Sequence, residues 1–174
     1  VPRLLDTNTR TDELAHTLAR LIDEGGLEAP SSRRIAAEIK LSIASLYHHY
    51  ESRERLLRVL SYRIGLALVD ACQSEVRATG VGAMLRDDED GIMLTRAWLG
   101  VVELGRRDEH VGNSVAAVAE REQSMLYGAA GDRCRDPEQV ELVQALLHGL
   151  RAATTRYCDP LDVGLARRIL VDAV

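Results

Sequence analysis

Phenylalanine is missing from all 174 residues, and the aromatic complement is one Trp and five Tyr. Any core must be filled by Leu, Val, Ile and Ala, a set that favours helices over strands. Lysine is nearly missing too, since Lys40 stands alone and arginine carries the remaining positive charge. Only three cysteines occur, Cys72, Cys134 and Cys158, an odd number at wide spacing. They exclude a paired-cysteine metal site and argue against a disulfide framework, so reduced thiols are expected. No run of 18 apolar residues and no signal-peptide pattern appears, which leaves no case for a membrane or for export. The expected location is the cytoplasm. The first residue is not Met and the last residues continue an apolar helical period, so further residues are expected beyond either end.

What remains is ordinary for a globular protein: 46% apolar residues, 28% charged and four prolines. This length can bury a real core and fits one domain, or one small and one medium domain. The net charge of −5 argues at first against nucleic acid, but its distribution does not. Residues 31–58 carry Arg33, Arg34, Lys40, Arg53, Arg55 and Arg58 against three acids, whereas the segments on either side are acidic. A local basic window of this kind is what a charged partner meets.

The periodicity is helical throughout, and no alternating strand pattern or internal repeat is found. Leu14, Leu18, Leu21 and Ile22 predict a helix over 11–24, ended by Gly25 and Gly26. Ser31 or Ser32 can cap a second helix to about Ile39, and Ser42 can cap a third from Ile43 to about His49. From a Ser52 cap, the stripe Leu57, Leu60, Ile64, Leu68 and Ala71 predicts a long fourth helix to about Ala78. Residues 79–91 read as a loop or junction whose acids suit the start of the next helix. Further helices follow over 92–104, about 111–126, and 136–158 with Asp136 as cap and Pro137 behind it. Asp159 and Pro160 repeat that device for a last helix. The 136–158 helix has two apolar stripes, one through Val140, Val143, Leu147, Leu150, Thr154 and Tyr157, the other through Leu142, Leu146, Gly149 and Ala153. Both need burial, either under the last helix or against a second copy of the chain.

The functional signal lies in "IAAEIKLSIASLYHHYESRERLL", residues 35–57. Two helices of about seven residues, separated by the turn Lys40-Leu41-Ser42, have helix-turn-helix proportions. Ile35, Ile39, Leu41, Leu46 and Tyr50 point into a small core with the first helix. That leaves Ile43, Ala44, Ser45, Tyr47 and His48 on outer faces, with His49 at the helix end. Hydroxyl and imidazole groups are good donors to phosphate oxygens, and Ala or Ile can meet thymine methyls. Arg33 can reach a base or a phosphate, and Arg53 a phosphate.

As a set, "DEGGLEAP", "RRIAAEIKLS" and "SLYHHYESRERLL" resemble the DNA-binding domain of the tetracycline-repressor (TetR) family over residues 11–57. The residues carrying the likeness are Ile35-Ala36, Leu46-Tyr47, His49-Tyr50, Arg53 and Leu56-Leu57. The chain departs from the pattern at Lys40, where the family usually has Gly, and at Arg53, where it usually has Lys. The resemblance implies that Ser32, Arg33, Ile43, Ala44, Ser45, Tyr47 and His48 face DNA, with His49 and Arg53 joining Tyr47 on phosphates. It also implies an all-α protein with a helix-turn-helix domain over 1–55 and an effector-binding and dimerisation domain over 56–174. Its partners would be operator double-stranded DNA, a second copy held through the last two long helices, and a small organic effector. The residues divide between core and pocket at Tyr62, Met93, Trp98, Met125 and Tyr127, and between interface and pocket at His148.

Other classes are poorly served. Adjacent histidines diverge on a helix, and no HExxH or CxxC pair completes a metal site, so neither metal nor cofactor is expected. Gly80 and Gly82 lack the third glycine and the preceding strand of a dinucleotide fingerprint, and no nucleophile elbow is present. The competing reading is a helical small-molecule-binding protein or enzyme that keeps the fold without operator binding. Loss of Tyr47 or of the basic window would mark it, and both are present.

Overall fold

The computed structural model describes residues 7–27, 30–130 and 136–174, and all regular structure among them is helical. In chain order the elements are α1 (Thr7–Gly25), α2 (Ser32–Glu38), α3 (Ile43–Tyr50) and α4 (Arg53–Thr79). A 3-10 turn (Val81–Met84) follows, then α5 (Glu89–Gly105), α6 (Glu109–Ala130), α7 (Pro137–Thr154) and α8 (Val163–Asp172). Helix starts are fixed by side-chain caps. Ser31, Ser42 and Ser52 accept from the backbone N–H three residues on, at 3.1, 3.0 and 3.1 Å. Each such cap contributes about 1 kcal/mol.

Two apolar clusters hold the molecule. The first joins Leu14, Leu18 and Ile22 of α1, Ile35 of α2 and Leu46 of α3 to Leu60, Ile64 and Leu68 of α4, Trp98 of α5 and Val118 of α6. The second gathers Cys72 and Val76 of α4, the 3-10 turn, Leu126 of α6, Val143 and Leu147 of α7, and Leu170 of α8. Helix α4 contributes to both. Gly65 lets α4, α5 and α6 meet closely, since a Cβ there would lie 2.7 Å from both Trp98 Cζ3 and Val118 Cγ2.

The expected elements are all present; α1 starts earlier, at Thr7, α6 runs on to Ala130, and four further differences bear on the packing. On α4 the buried row is Leu56, Leu60, Ile64, Leu68 and Cys72, so Leu57 and Ala71 sit on the flank. Within 79–91, Val81 to Leu85 are buried in the second cluster rather than forming a surface loop. Helix α5 begins at Glu89, earlier than Ile92, because the Asp88 side chain accepts from Gly91 N at 3.0 Å. Finally, α7 stops at Thr154 and Asp162, not Asp159, caps α8 through Leu165 N at 2.8 Å. The Leu161 N–H donates back to the Ala153 carbonyl at 3.0 Å, which closes α7 and denies Leu161 to the next helix.

The two stripes of α7 part company. Val140, Val143, Leu147 and Leu150 are buried, whereas Leu142 is 68% exposed and Gly149 is open on its face. Helix α8 therefore leaves the second stripe uncovered and adds exposed Leu165 and Ile169 beside it. Tyr157, placed by periodicity on the inner stripe, lies beyond the helix end and is exposed. Cys72 is buried and Cys158 exposed, both as free thiols; Cys134 lies outside the described residues. Burial pushes the Cys72 thiol above its ordinary value, outweighing Arg151 nearby.

Candidate nucleic-acid interface

The interface candidate is built by how α2 stops and α3 starts. Lys40 sits at φ 55 with its N–H bonded to the Ala37 carbonyl at 3.1 Å, while Leu41 N–H reaches Ala36 O at 2.8 Å. That paired arrangement is a Schellman cap, in which the left-handed residue is usually Gly. Ser42 then caps α3 and also meets the Ser45 hydroxyl at 2.8 Å. At the far end Glu51 has φ 63, and Ser52 N donates to Tyr50 O at 2.7 Å, a tight γ-turn that redirects the chain into α4.

Burial sorts the two helices into faces. Ile35, Ala36 and Leu46 are buried, Ile39, Leu41 and Tyr50 half-buried, and the Tyr50 hydroxyl lies 3.0 Å from Thr11 Oγ1. The opposite side presents Arg33, Ile43, Ala44, His48, His49 and Arg53 as exposed groups, with Ser32, Ser45 and Tyr47 half-buried among them. Because Ser31 takes the capping role, Ser32 is left free to accept the Tyr47 hydroxyl at 2.7 Å. This bond ties α3 to the start of α2 across the outer face. The His48 and His49 ring centroids are 5.8 Å apart, edge to face. No group of three metal-ligating side chains occurs among the described residues.

Ion pairing separates the arginines of the basic window. Arg34 pairs with Glu24 at 3.5 Å and Arg55 with Glu51 at 2.5 Å. Arg20, on α1, holds Glu24 and Glu38 at 2.7 Å each, and these two carboxylates raise its own affinity for the proton. Arg33, Lys40, Arg53 and Arg58 make no ion pair with any described residue. Acids thus neutralise the flank toward α1, while the cations nearest α3 stay available.

The six residues weighed for a pocket do not share one cavity. Trp98 is core at 3% exposure, and Tyr62 is half-buried against the same cluster. Met125 lines a groove of about 650 Å³ between α4 and α6, with Val69, Gln73, Val76, Arg77 and Arg121. Met93 lines a separate acidic groove of about 900 Å³ between α1 and α5. Tyr127 and His148 are on the surface. Desolvation, then Arg151 and to a lesser degree Arg106, push the His148 imidazole below its ordinary value, opposed by Glu122.

Two features were missed from the sequence. Arg96 donates to the Thr155 carbonyl at 2.8 Å and lies 3.5 Å from Asp23 Oδ1. Arg151 and Glu122 form an ion pair that is 2% and 7% exposed, and Arg151 Nε has no hydrogen-bond partner. Both charges fall in apolar register, Arg151 four after Leu147 and Glu122 four after Val118. That register was the available signal.

Two short capped helices with a three-residue turn, and an outer face whose Arg33 and Arg53 are unpaired among the described residues, define a helix-turn-helix module. Residues 14–60 match the family model for bacterial regulatory proteins of the tetR family. The likeness to that family is one of this module. It is 35% identical over 57 residues to the HTH-type transcriptional regulator PksA of Bacillus subtilis (strain 168). That match spans 33% of this chain and 28% of PksA, little more than a quarter of the relative's length. The fold likeness runs further. A crystal structure of a TetR-family regulator from Rhodococcus sp. superposes with TM-score 0.79 at 18% identity, covering 96% of this chain and 97% of that one. The multidrug binding protein EbrR complexed with imidazole gives 0.68 at 20% identity, covering 95% and 94%.

Proposed function

We propose that the protein is a ligand-responsive transcriptional regulator, acting in the cytoplasm as a repressor released from operator DNA by a small organic effector. The observation that carries this is the Tyr47–Ser32 bond within a face whose cations, Arg33 and Arg53, are unpaired among the described residues. In such a face the Tyr47 O–H is given to Ser32, which leaves the Ser32 O–H to point at a phosphate until the backbone displaces it; Tyr47, His49 and Arg53 then hold the backbone, while Ile43, Ala44 and Ser45 at the start of α3 meet base edges. His48 and Ser32 complete the contact set, and no catalytic role is assigned to any residue.

A homodimer is part of the proposal. The uncovered stripe of α7 with Leu165 and Ile169 of α8 is an apolar face that a second copy would bury. Gly149 marks the close approach, since a side chain there would meet nothing of its own chain. Each subunit then offers one α3 to one half-site of a near-palindromic operator. The effector's place is proposed among the middle helices, in the α4–α6 groove, where Val69, Val76 and Met125 give apolar contact and Asp70, Gln73, Arg77 and Arg121 give polar partners.

The test is fluorescence anisotropy with the intergenic DNA beside the protein's own gene, across a salt series, for wild type and Tyr47→Ala. The expected log–log slope is about −0.9 per phosphate neutralised, with clear weakening in the mutant. Binding that is weak, indifferent to sequence and unchanged by Tyr47→Ala would favour a helical ligand-binding protein that keeps only the scaffold.

A further inference from the structure

Two helix ends that are far apart in sequence meet at one cluster of side chains. The last carbonyls of any helix lack an intrahelical partner, and they form its negative pole. At the end of α1, the Asp23 carbonyl accepts the Tyr157 hydroxyl at 2.7 Å, and Asp23 Oδ1 lies 3.2 Å from the same hydroxyl. At the end of α7, the Thr155 carbonyl accepts Arg96 Nε at 2.8 Å. The Arg96 guanidinium also stands 4.1 Å over the Tyr157 ring and 3.5 Å from Asp23 Oδ1. One cation, one phenol and one carboxylate thus close three elements: α1 of the reading head, α5, and the turn that joins α7 to α8.

We propose that Asp23, Arg96 and Tyr157 are positioning residues that set the angle of the DNA-reading head against the dimerisation helices, and so fix the operator spacing. This rests on the regulator reading above. The apolar contact of α1 with α5 is non-directional and permits the head to roll. Hydrogen bonds to two helix termini are directional and remove that freedom. Tyr157 is 74% exposed, so its ring adds little apolar burial, and its contribution is the geometry it holds. The turn it stands on joins α7 to α8 and reaches α1 through the Tyr157 hydroxyl.

The experiment has two arms, and the first needs neither DNA nor a dimer. Nitroxides are placed at Ala37→Cys on α2 and Glu120→Cys on α6, both exposed, with Cys134→Ser and Cys158→Ser. Labelled chains are diluted with unlabelled ones, and pulsed electron resonance reads the head-to-core distance. A narrow distribution is expected, broadened or displaced by Tyr157→Ala and partly restored in Tyr157→Phe, which keeps the ring under Arg96. An unchanged distribution in Tyr157→Ala overturns the proposal. The second arm measures affinity for operators with the half-sites moved one base pair apart or together. Tyr157→Ala is expected to bind the best spacing about 5- to 20-fold less tightly, and to discriminate less among spacings. A uniform loss across spacings means general destabilisation and also overturns it. Should wild type bind no DNA at all, the regulator reading fails while the distance arm still decides the positioning role.

Discussion

Glu122 and Arg151 show how a single pair can dominate the energetics of the helical core. Both are removed from water, and the guanidinium reaches Met84 O only at 3.5 Å, so the pair is not fully satisfied. Desolvation of two charges roughly cancels their attraction, but removing one partner strands the other. Glu122→Leu or Arg151→Met alone is expected to cost about 3–5 kcal/mol, read by urea unfolding. The double replacement should recover most of that loss. Single costs below about 1 kcal/mol would mean the pair is solvated. His148 is linked to the same seam. Its folded value is lowered, so below the ordinary histidine range near 6.5 the unfolded chain takes up more protons. Stability from this group is therefore complete above about pH 6.5 and is lost as pH falls through the folded value. His148→Gln should flatten that part of a stability–pH profile.

At the scale of elements, the turn between α2 and α3 carries a strain that the sequence already suggested. Lys40 occupies a left-handed position where glycine is easier, at a cost on the order of 1 kcal/mol. Lys40→Gly is expected to raise stability by up to about 1 kcal/mol, the gain being trimmed by the freer unfolded chain. Thermal unfolding should then move up by about 2–4 °C. Helices α1 to α4 were legible because caps and turn residues agree there, although the period of α4 set Leu57 and Ala71 in its buried row. The α7–α8 connection was not. Two Asp residues compete to cap α8, and only the fold-back of Leu161 onto the Ala153 carbonyl decides between Asp159 and Asp162. Periodicity likewise placed Tyr157 inside α7, because it records spacing and is blind to where the last carbonyls find donors. The outer face of α3 was readable residue by residue, yet the Tyr47–Ser32 bond depended on which serine took the capping role.

Across the whole molecule, the uncovered face of α7 and α8 is where the proposed dimer would be most easily broken. Leu142 is 68% exposed in one chain, so Leu142→Arg should leave the subunit's helicity nearly unchanged. Sedimentation velocity should nonetheless show the dimer replaced by monomer. A dimer that survives the change would move the interface elsewhere. The pocket was the least legible part of the chain. A cavity is a property of how α4, α5 and α6 are spaced, and Gly65 brings Trp98 so close that an aromatic suited to a pocket becomes packing.

The first apolar cluster has a practical consequence for anyone building hybrid proteins from this chain. Leu14, Leu18 and Ile22 of the reading head are buried together with Leu94, Ala97 and Trp98 of α5. A graft cut just ahead of α4 would carry half of a hydrophobic joint and leave its complement behind. Transplanting α1 to α3 onto another helical body would require rewriting the recipient's α5 inner face to match, and a salt-bridge donor equivalent to Arg96 would have to travel with it.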